Sequence, residues 1–345
     1  MTKKSSILNF ISRLFPRKIN GQVLYTEALE CLLTGDMDEA LWKLRELVKI
    51  DTNHISAYII LGDILRGKKK PDQAVKIHQS LTFRRGLTAD KRIEIYTSLA
   101  KDYYALGDFS RAEENANRVF QLDKKNRWAA EYLIQICEEQ ERWADASEYL
   151  KKLEKVSEKS ATRRHAFYRM MEGRAKEKES LHDDARADYI KATKLDATYA
   201  DPYLYLGNLD EQGGNLGKAV ENWEKFAEVS PGSGRQVFAR LEKALFELGR
   251  FGQMEDFYRK LMKKDSENMD VISGLVNVLQ AKGEFDQALT LIDEVISKNN
   301  KSIQARLAHL KLSLRKIDQD QLSSEVDEIV QLIHRSKGNS SLRSS

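Results

Sequence analysis

Apolar residues recur along this chain three and four positions apart, the spacing that lines one face of an α-helix, and short polar breaks interrupt them at regular intervals. The breaks share a wording. A turn position, often Gly followed by Asp, Asn or Glu, stands five residues before a small residue, usually Ala, that opens a new helix. The unit occurs as Gly35 to Ala40, Lys69 to Ala74, Gly107 to Ala112, Glu141 to Ala146, Ser180 to Ala185, Gly214 to Ala219, Gly249 to Met254 and Gly283 to Ala288. Successive turn positions lie 34, 38, 34, 39, 34, 35 and 34 residues apart.

Most of these spacings equal the period of the tetratricopeptide repeat, a helix–turn–helix unit. The two longer ones put their extra residues between units, around Arg84 to Asp90 and Ser157 to Thr162. Twelve residues before the key small residue, where the first helix of a unit must let its partner approach, stand Ala28, Gly62, Ala100, Gly173 and Gly207. Ile134, Glu242 and Val276 break that rule, so the fourth, seventh and eighth units are expected to pair less closely. A single helix pair cannot bury its apolar face, and stacking neighbours builds the core. The expected fold is therefore all-α: a right-handed superhelical solenoid of about eight helix pairs, closed by a C-terminal capping helix at Gln321 to His334 with Leu322, Val326, Ile329, Val330 and Ile333 on one side. Residues 1–20 form a separate basic amphipathic segment, 21–335 the solenoid and 336–345 a Ser-, Gly- and Asn-rich disordered tail.

Composition agrees with long helices. The chain is 41% hydrophobic and 32% charged, with 4 Pro and 18 Gly, too few turn formers for a β architecture. Its 57 basic and 53 acidic residues are interleaved and leave a net charge of +4, which gives no basic face for nucleic acid. The densest basic run, Arg66 to Lys70, reads as a solvated turn. Cys31 and Cys137 are far apart and read as buried helix residues, as do Trp42, Trp128, Trp143 and Trp223.

No P-loop, HExxH or GxSxG occurs, and none of the six histidines has a second His or Cys at metal-ligand spacing. The paired carboxylates, such as Glu113 and Glu114, fall on exposed helix positions. The expectation is a chain without catalytic residues, metal or cofactor.

What remains is the concave surface. Counting from the small pairing residue places Asp63 and Arg66, Thr97, Lys101 and Tyr104, Glu131 and Gln135, Met170 and Arg174, and Asn208 as partner-facing positions, with Ile59 and Leu204 beside them. A groove of this mixture suits a helix or an extended peptide with both apolar and charged anchors. The Lys, then Asn four residues later, that marks tetratricopeptide clamps for chaperone tails occurs in no unit. In the first unit the same face is apolar, with Tyr25, Leu29, Leu32 and Leu33, and needs a cover. Ile7, Phe10, Ile11, Leu14 and Phe15 share a stripe with Leu8, flanked by Lys3, Lys4, Arg13, Arg17 and Lys18. Two readings stand side by side: a helix capping the first repeat, or a helix lying on an anionic membrane surface.

The wording of the repeats is similar to that of the lipopolysaccharide assembly protein B family from about Tyr25 to Phe257. The resemblance rests on Tyr25-Thr26-Glu27-Ala28-Leu29, on Leu61-Gly62-Asp63, and most distinctively on Ala74-Val75-Lys76-Ile77-His78-Gln79-Ser80-Leu81 leading to Gly86-Leu87-Thr88. Asp102-Tyr103, Arg111-Ala112-Glu113-Glu114 and Ala219-Val220-Glu221-Asn222-Trp223 extend it. It implies a cytoplasmic scaffold at the inner face of the envelope, linking a membrane-bound ATP-dependent protease to the deacetylase that commits material to lipid A. Family members carry a transmembrane helix before the repeats and a rubredoxin-like module with paired CxxC motifs after them, and this sequence shows neither pattern. The expected function is a non-catalytic scaffold or adaptor, cytoplasmic and peripheral to the inner membrane if the N-terminal stripe binds lipid. The alternative is a structural subunit of an envelope or secretion assembly.

Overall fold

A computed structural model describes residues 20–157, 160–314 and 319–341, with side chains for 20–155, 160–314 and 322–333. The chain divides into two compact units at Ala161/Thr162, inside the second of the longer seams.

The first unit holds four helix pairs: α1 (Gly21–Thr34) with α2 (Met37–Ile50), α3 (Ile55–Gly67) with α4 (Pro71–Leu81), α5 (Ala89–Ala105) with α6 (Phe109–Leu122), and α7 (Arg127–Glu139) with α8 (Trp143–Ser157). The second holds α9 (Thr162–Lys178) with α10 (His182–Leu195), α11 (Asp201–Gln212) with α12 (Leu216–Val229), α13 (Arg235–Glu247) with α14 (Phe251–Lys264), α15 (Met269–Ala281) with α16 (Phe285–Lys298), and α17 (Ile303–Ser313) with α18 (Gln319–Ser341). No strand occurs among the described residues.

Every turn position read from the sequence adopts left-handed backbone geometry. Gly35, Gly107, Gly214, Gly249 and Gly283 have positive φ, and so do Lys69, Glu141 and Ser180, the three places where the repeat lacks Gly. The reason is the way each first helix stops. At the first turn Asp36 N–H donates to the Cys31 carbonyl at 2.8 Å, at the fourth Arg142 N–H donates to Cys137 at 2.8 Å, and the same bond closes the other six. This six-residue return satisfies carbonyls that the helix end leaves unpaired, and it requires a left-handed residue in between. The next residue then caps the second helix: Asp36, Asp108 and Asn215 each accept the backbone N–H three positions on.

Inside three of the pairs, a Gly on the first helix is matched by a ring sixteen positions later on the second. A methyl group at Gly62 would overlap the His78 ring, one at Gly207 the Trp223 indole, and one at Gly173 would come 2.6 Å from Tyr189. Ala28 and Ala100 are likewise sealed. At the fourth pair the structure corrects the expectation: α7 and α8 pack as extensively as their neighbours, with Ile134 and Leu150 both buried, since Leu150 rather than a ring stands sixteen positions after Ile134. The seventh and eighth pairs are looser, as expected. In the seventh, Tyr258 O–H donates to Glu242 Oε1 at 2.5 Å where other repeats have a ring lying on a small residue.

Other expectations change too. Trp42 is 54% exposed, since it stands two residues after the key Ala on the outer helix, where other repeats place Lys76, Glu114 and Glu221. Trp128 and Cys31 are only half-buried, whereas Trp143, Trp223 and Cys137 are core. The end of the array is a helix pair rather than one capping helix, because α17, whose apolar positions are spread round its circumference, precedes α18. Of the stripe read on that last helix, Ile329 is buried while Val326 and Val330 stay exposed. The helix continues to Ser341, so residues 336–341 are helical and not tail; once a helix is nucleated each added residue brings its own hydrogen bond. Residues 342–345 and the amphipathic segment with Ile7, Phe10, Ile11, Leu14 and Phe15 lie outside the described residues.

Candidate partner-binding groove

The first helices of successive pairs are joined by side chains on one face, and these links identify the groove. In the first unit Arg66 on α3 donates to Asp102 Oδ1 on α5 at 2.7 Å while its other nitrogen meets Asp63 at 2.7 Å. Lys101 on α5 holds its amine 5.4 Å above the Trp128 ring on α7, and Trp128 stacks on Tyr132 at 4.8 Å. Tyr104 O–H donates to Glu139 at 3.1 Å and accepts from Gln135 at 3.0 Å. Burial holds the Tyr104 phenol above its ordinary pKa, so it remains a donor.

Beneath this surface lies a polar core. Asp102 and His78 have no solvent contact, and His78 Nδ1 stands 2.5 Å from Asp102 Oδ2. His78 Nε2 faces the Ile59 carbonyl at 2.9 Å. The two Asp102 oxygens are thus divided between Arg66 and His78, and α3, α4 and α5 are tied at one point. A buried carboxylate with both oxygens occupied is far less costly than an unpaired one.

In the second unit Arg174 on α9 lies 5.1 Å from the centre of the Tyr205 ring on α11. Asn208 Oδ1 accepts from Trp223 Nε1 at 3.2 Å and from Arg240 on α13 at 2.7 Å, and Arg240 also pairs with Glu211.

The residues chosen from the sequence therefore divide by what already holds them. Arg66, Tyr104, Gln135 and Asn208 face the groove but are engaged with neighbouring repeats, and Asp63 is engaged with Arg66 on its own helix. Glu131 is exposed and pairs with Arg127 on its own helix at 2.7 Å, and Thr97 is half-buried. Lys101 and Arg174 lie against aromatic rings and make no ion pair among the described residues, so their charges are available. Met170 is a correction: it is 3% exposed, and its sulfur accepts the Tyr199 O–H at 3.3 Å. Ile59, at the same position three before the small residue, is buried as well, so in these two repeats that position turns under the groove rather than into it. Asp102, Tyr132, Trp128, Tyr205 and Arg240 were missed. Asp102 carried a legible signal, a carboxylate between Leu99 and Tyr103 on the apolar face of α5; the others differ in no visible way from ordinary helix residues.

Among the described residues no group of three or more His, Cys, Asp and Glu side chains could hold a metal ion. Among them, too, no helix is long and apolar enough to cross a membrane.

The family model for the tetratricopeptide repeat matches residues 97–160. Lipopolysaccharide assembly protein B of Escherichia coli strain K12 is 22% identical over 276 residues, covering 80% of this chain and 70% of that protein. Its counterpart in Haemophilus influenzae is 24% identical over 241 residues, covering 68% of this chain and 61% of that one. Among solved structures, the Naa15/Naa10 complex bound to HypK-THB aligns with 92% of this chain at 14% identity and a TM-score of 0.45, and this chain spans 47% of that one. The stacked helix pairs and their left-handed turns agree with the tetratricopeptide-repeat match over residues 97–160, and the chain resembles lipopolysaccharide assembly protein B.

Proposed function

We propose that this chain is a non-catalytic adaptor that captures protein partners in its grooves and acts in lipopolysaccharide or envelope biogenesis at the inner face of the cytoplasmic membrane. The observation that carries the reading is the pair of cations left free on aromatic platforms, Lys101 over Trp128 and Arg174 over Tyr205. A charge seated on a ring is positioned and partly desolvated, so it can take a partner carboxylate while the ring takes an adjacent apolar side chain. The pathway rests on the similarity to lipopolysaccharide assembly protein B over four-fifths of the chain.

The test is affinity capture from the native organism with the wild-type chain and with a Lys101→Glu/Arg174→Glu variant. Both substitutions reverse groove charges without touching the core. Loss of a specific partner from the variant supports groove recognition, and a partner belonging to envelope synthesis supports the pathway. Survival of every partner moves the contact to another surface, as in a structural subunit.

A further inference from the structure

The third and seventh repeats share an arrangement that no other repeat has: a Lys six residues before the left-handed turn, an aromatic residue three before it and a Phe two after it. These are Lys101, Tyr104 and Phe109 in one, and Lys243, Phe246 and Phe251 in the other. The rings meet alike. Tyr104 and Phe109 pack edge to face with centres 5.3 Å apart, and Phe246 and Phe251 do so at 5.2 Å. What differs is the neighbour. The fourth repeat lays Tyr132 5.5 Å from Tyr104 and brings the Gln135 amide to its hydroxyl, so Tyr104 and Phe109 are half-buried. Phe246 is 66% exposed and Phe251 55%.

The eighth repeat has nothing to cover them with. Counted from the turns at Glu141 and Gly283, Gly274 stands in the place of Tyr132 and Asn277 in that of Gln135. Packing fixes Gly274. With Glu242 at the pairing position of α13, the Tyr258 ring leans on the next repeat instead, and a methyl group at Gly274 would overlap it. Phe246 therefore keeps an open face. Beside it the Lys243 side chain is 77% exposed, and the only acid it meets among the described residues is Glu247 at 3.8 Å.

We infer that this face of α13 docks an amphipathic helix of a protein partner, one that presents an aromatic side chain to Phe246 and a carboxylate to Lys243. The internal comparison sets the first group, because the same pair of rings in the third repeat is covered by a tyrosine. Charge complementarity sets the second, since the Lys243 amine is open to solvent. Spacing sets the helix. Lys243 and Phe246 are three residues apart on α13, about 4.5 Å along its axis. Side chains three or four residues apart on a helix stand about 5–6 Å from each other, whereas same-face neighbours on an extended strand stand about 7 Å apart. The surface uses neither Lys101 nor Arg174, so it stands or falls separately from the recognition proposed above.

Fluorescence anisotropy tests this with the full chain and fluorescein-labelled, alanine-based helical peptides of about sixteen residues. Each peptide carries one Glu and one Trp, separated by two, three or four positions. Phe246 and Lys243 are exposed, so their variants keep the fold, which thermal unfolding checks. The expected result is binding at least about tenfold tighter for the three- and four-residue spacings than for the two-residue spacing. Phe246→Ala and Lys243→Glu should each weaken it about tenfold, and Lys101→Glu should leave it unchanged. Absence of binding, equal binding at all spacings, or binding that survives Phe246→Ala overturns the site. Loss of binding in Lys101→Glu places the peptide in the first unit and overturns it as well. Sedimentation of the wild-type chain as a dimer that Phe246→Ala dissolves assigns the face to a second copy of this chain and overturns the partner helix.

Discussion

His78 Nδ1 lies 2.5 Å from Asp102 Oδ2, and neither residue touches solvent. With Arg66 on the other carboxylate oxygen, this contact fastens three helices of the first unit through one buried acid. Asp102→Ala leaves both partners facing an empty site, and breaking a buried pair in this way costs about 3–5 kcal/mol. Urea unfolding of the first unit's signal should show that loss; a loss under about 1 kcal/mol would mean that the network contributes little beyond packing.

The same imidazole occupies the space that Gly62 leaves open. Gly62→Ala should destabilise the protein by about 1–3 kcal/mol, the usual range for overpacking. His78→Ala empties the site, so the double variant Gly62→Ala/His78→Ala should cost less than the two single losses added together. Strict additivity in thermal unfolding would show that the two side chains do not share the space.

Glu141 holds φ at 54° in the turn between α7 and α8, where five other repeats use Gly. Left-handed geometry costs a side chain about 1–2 kcal/mol, and Gly loses more freedom on folding, so Glu141→Gly should stabilise by about 0.5–1 kcal/mol. Gly107→Ala, the converse change at the turn before α6, should destabilise by about 1 kcal/mol. Opposite shifts in Tm are the expected readout.

Glu224 sits in a cavity of about 330 Å³ lined also by Glu228, Asp256 and Lys260 on α12 and α14. Burial, and then the neighbouring Glu228 charge, raise its pKa above the ordinary value of 4.5. An acid whose pKa rises on folding binds its proton more tightly in the native state, so its ionisation costs stability as pH climbs through that interval. Glu224→Gln should therefore stabilise the second unit at pH 7, and the gain should vanish below pH 4.5. Unfolding at the two pH values checks it, and a gain that is the same at both would assign the effect to packing.

The sequence alone determined the class of fold, the repeat period and all eight turn positions, because each depends on residues within a few positions of one another. Left-handed geometry follows from how one helix ends and the next begins, so even Lys69, Glu141 and Ser180 were placed by spacing. The small residues of the pairing positions were legible for the same reason. Tertiary structure decided what each groove position is for. Asp102 and Arg66 are 36 residues apart and Asn208 and Arg240 are 32 apart, so the partner of each comes from a different repeat. Helical periodicity fixes the face a side chain occupies. Only the stacking of repeats settles whether its charge is spent on a neighbour, as at Arg66, buried beneath the surface, as at Asp102, or left free on an aromatic ring, as at Lys101 and Arg174.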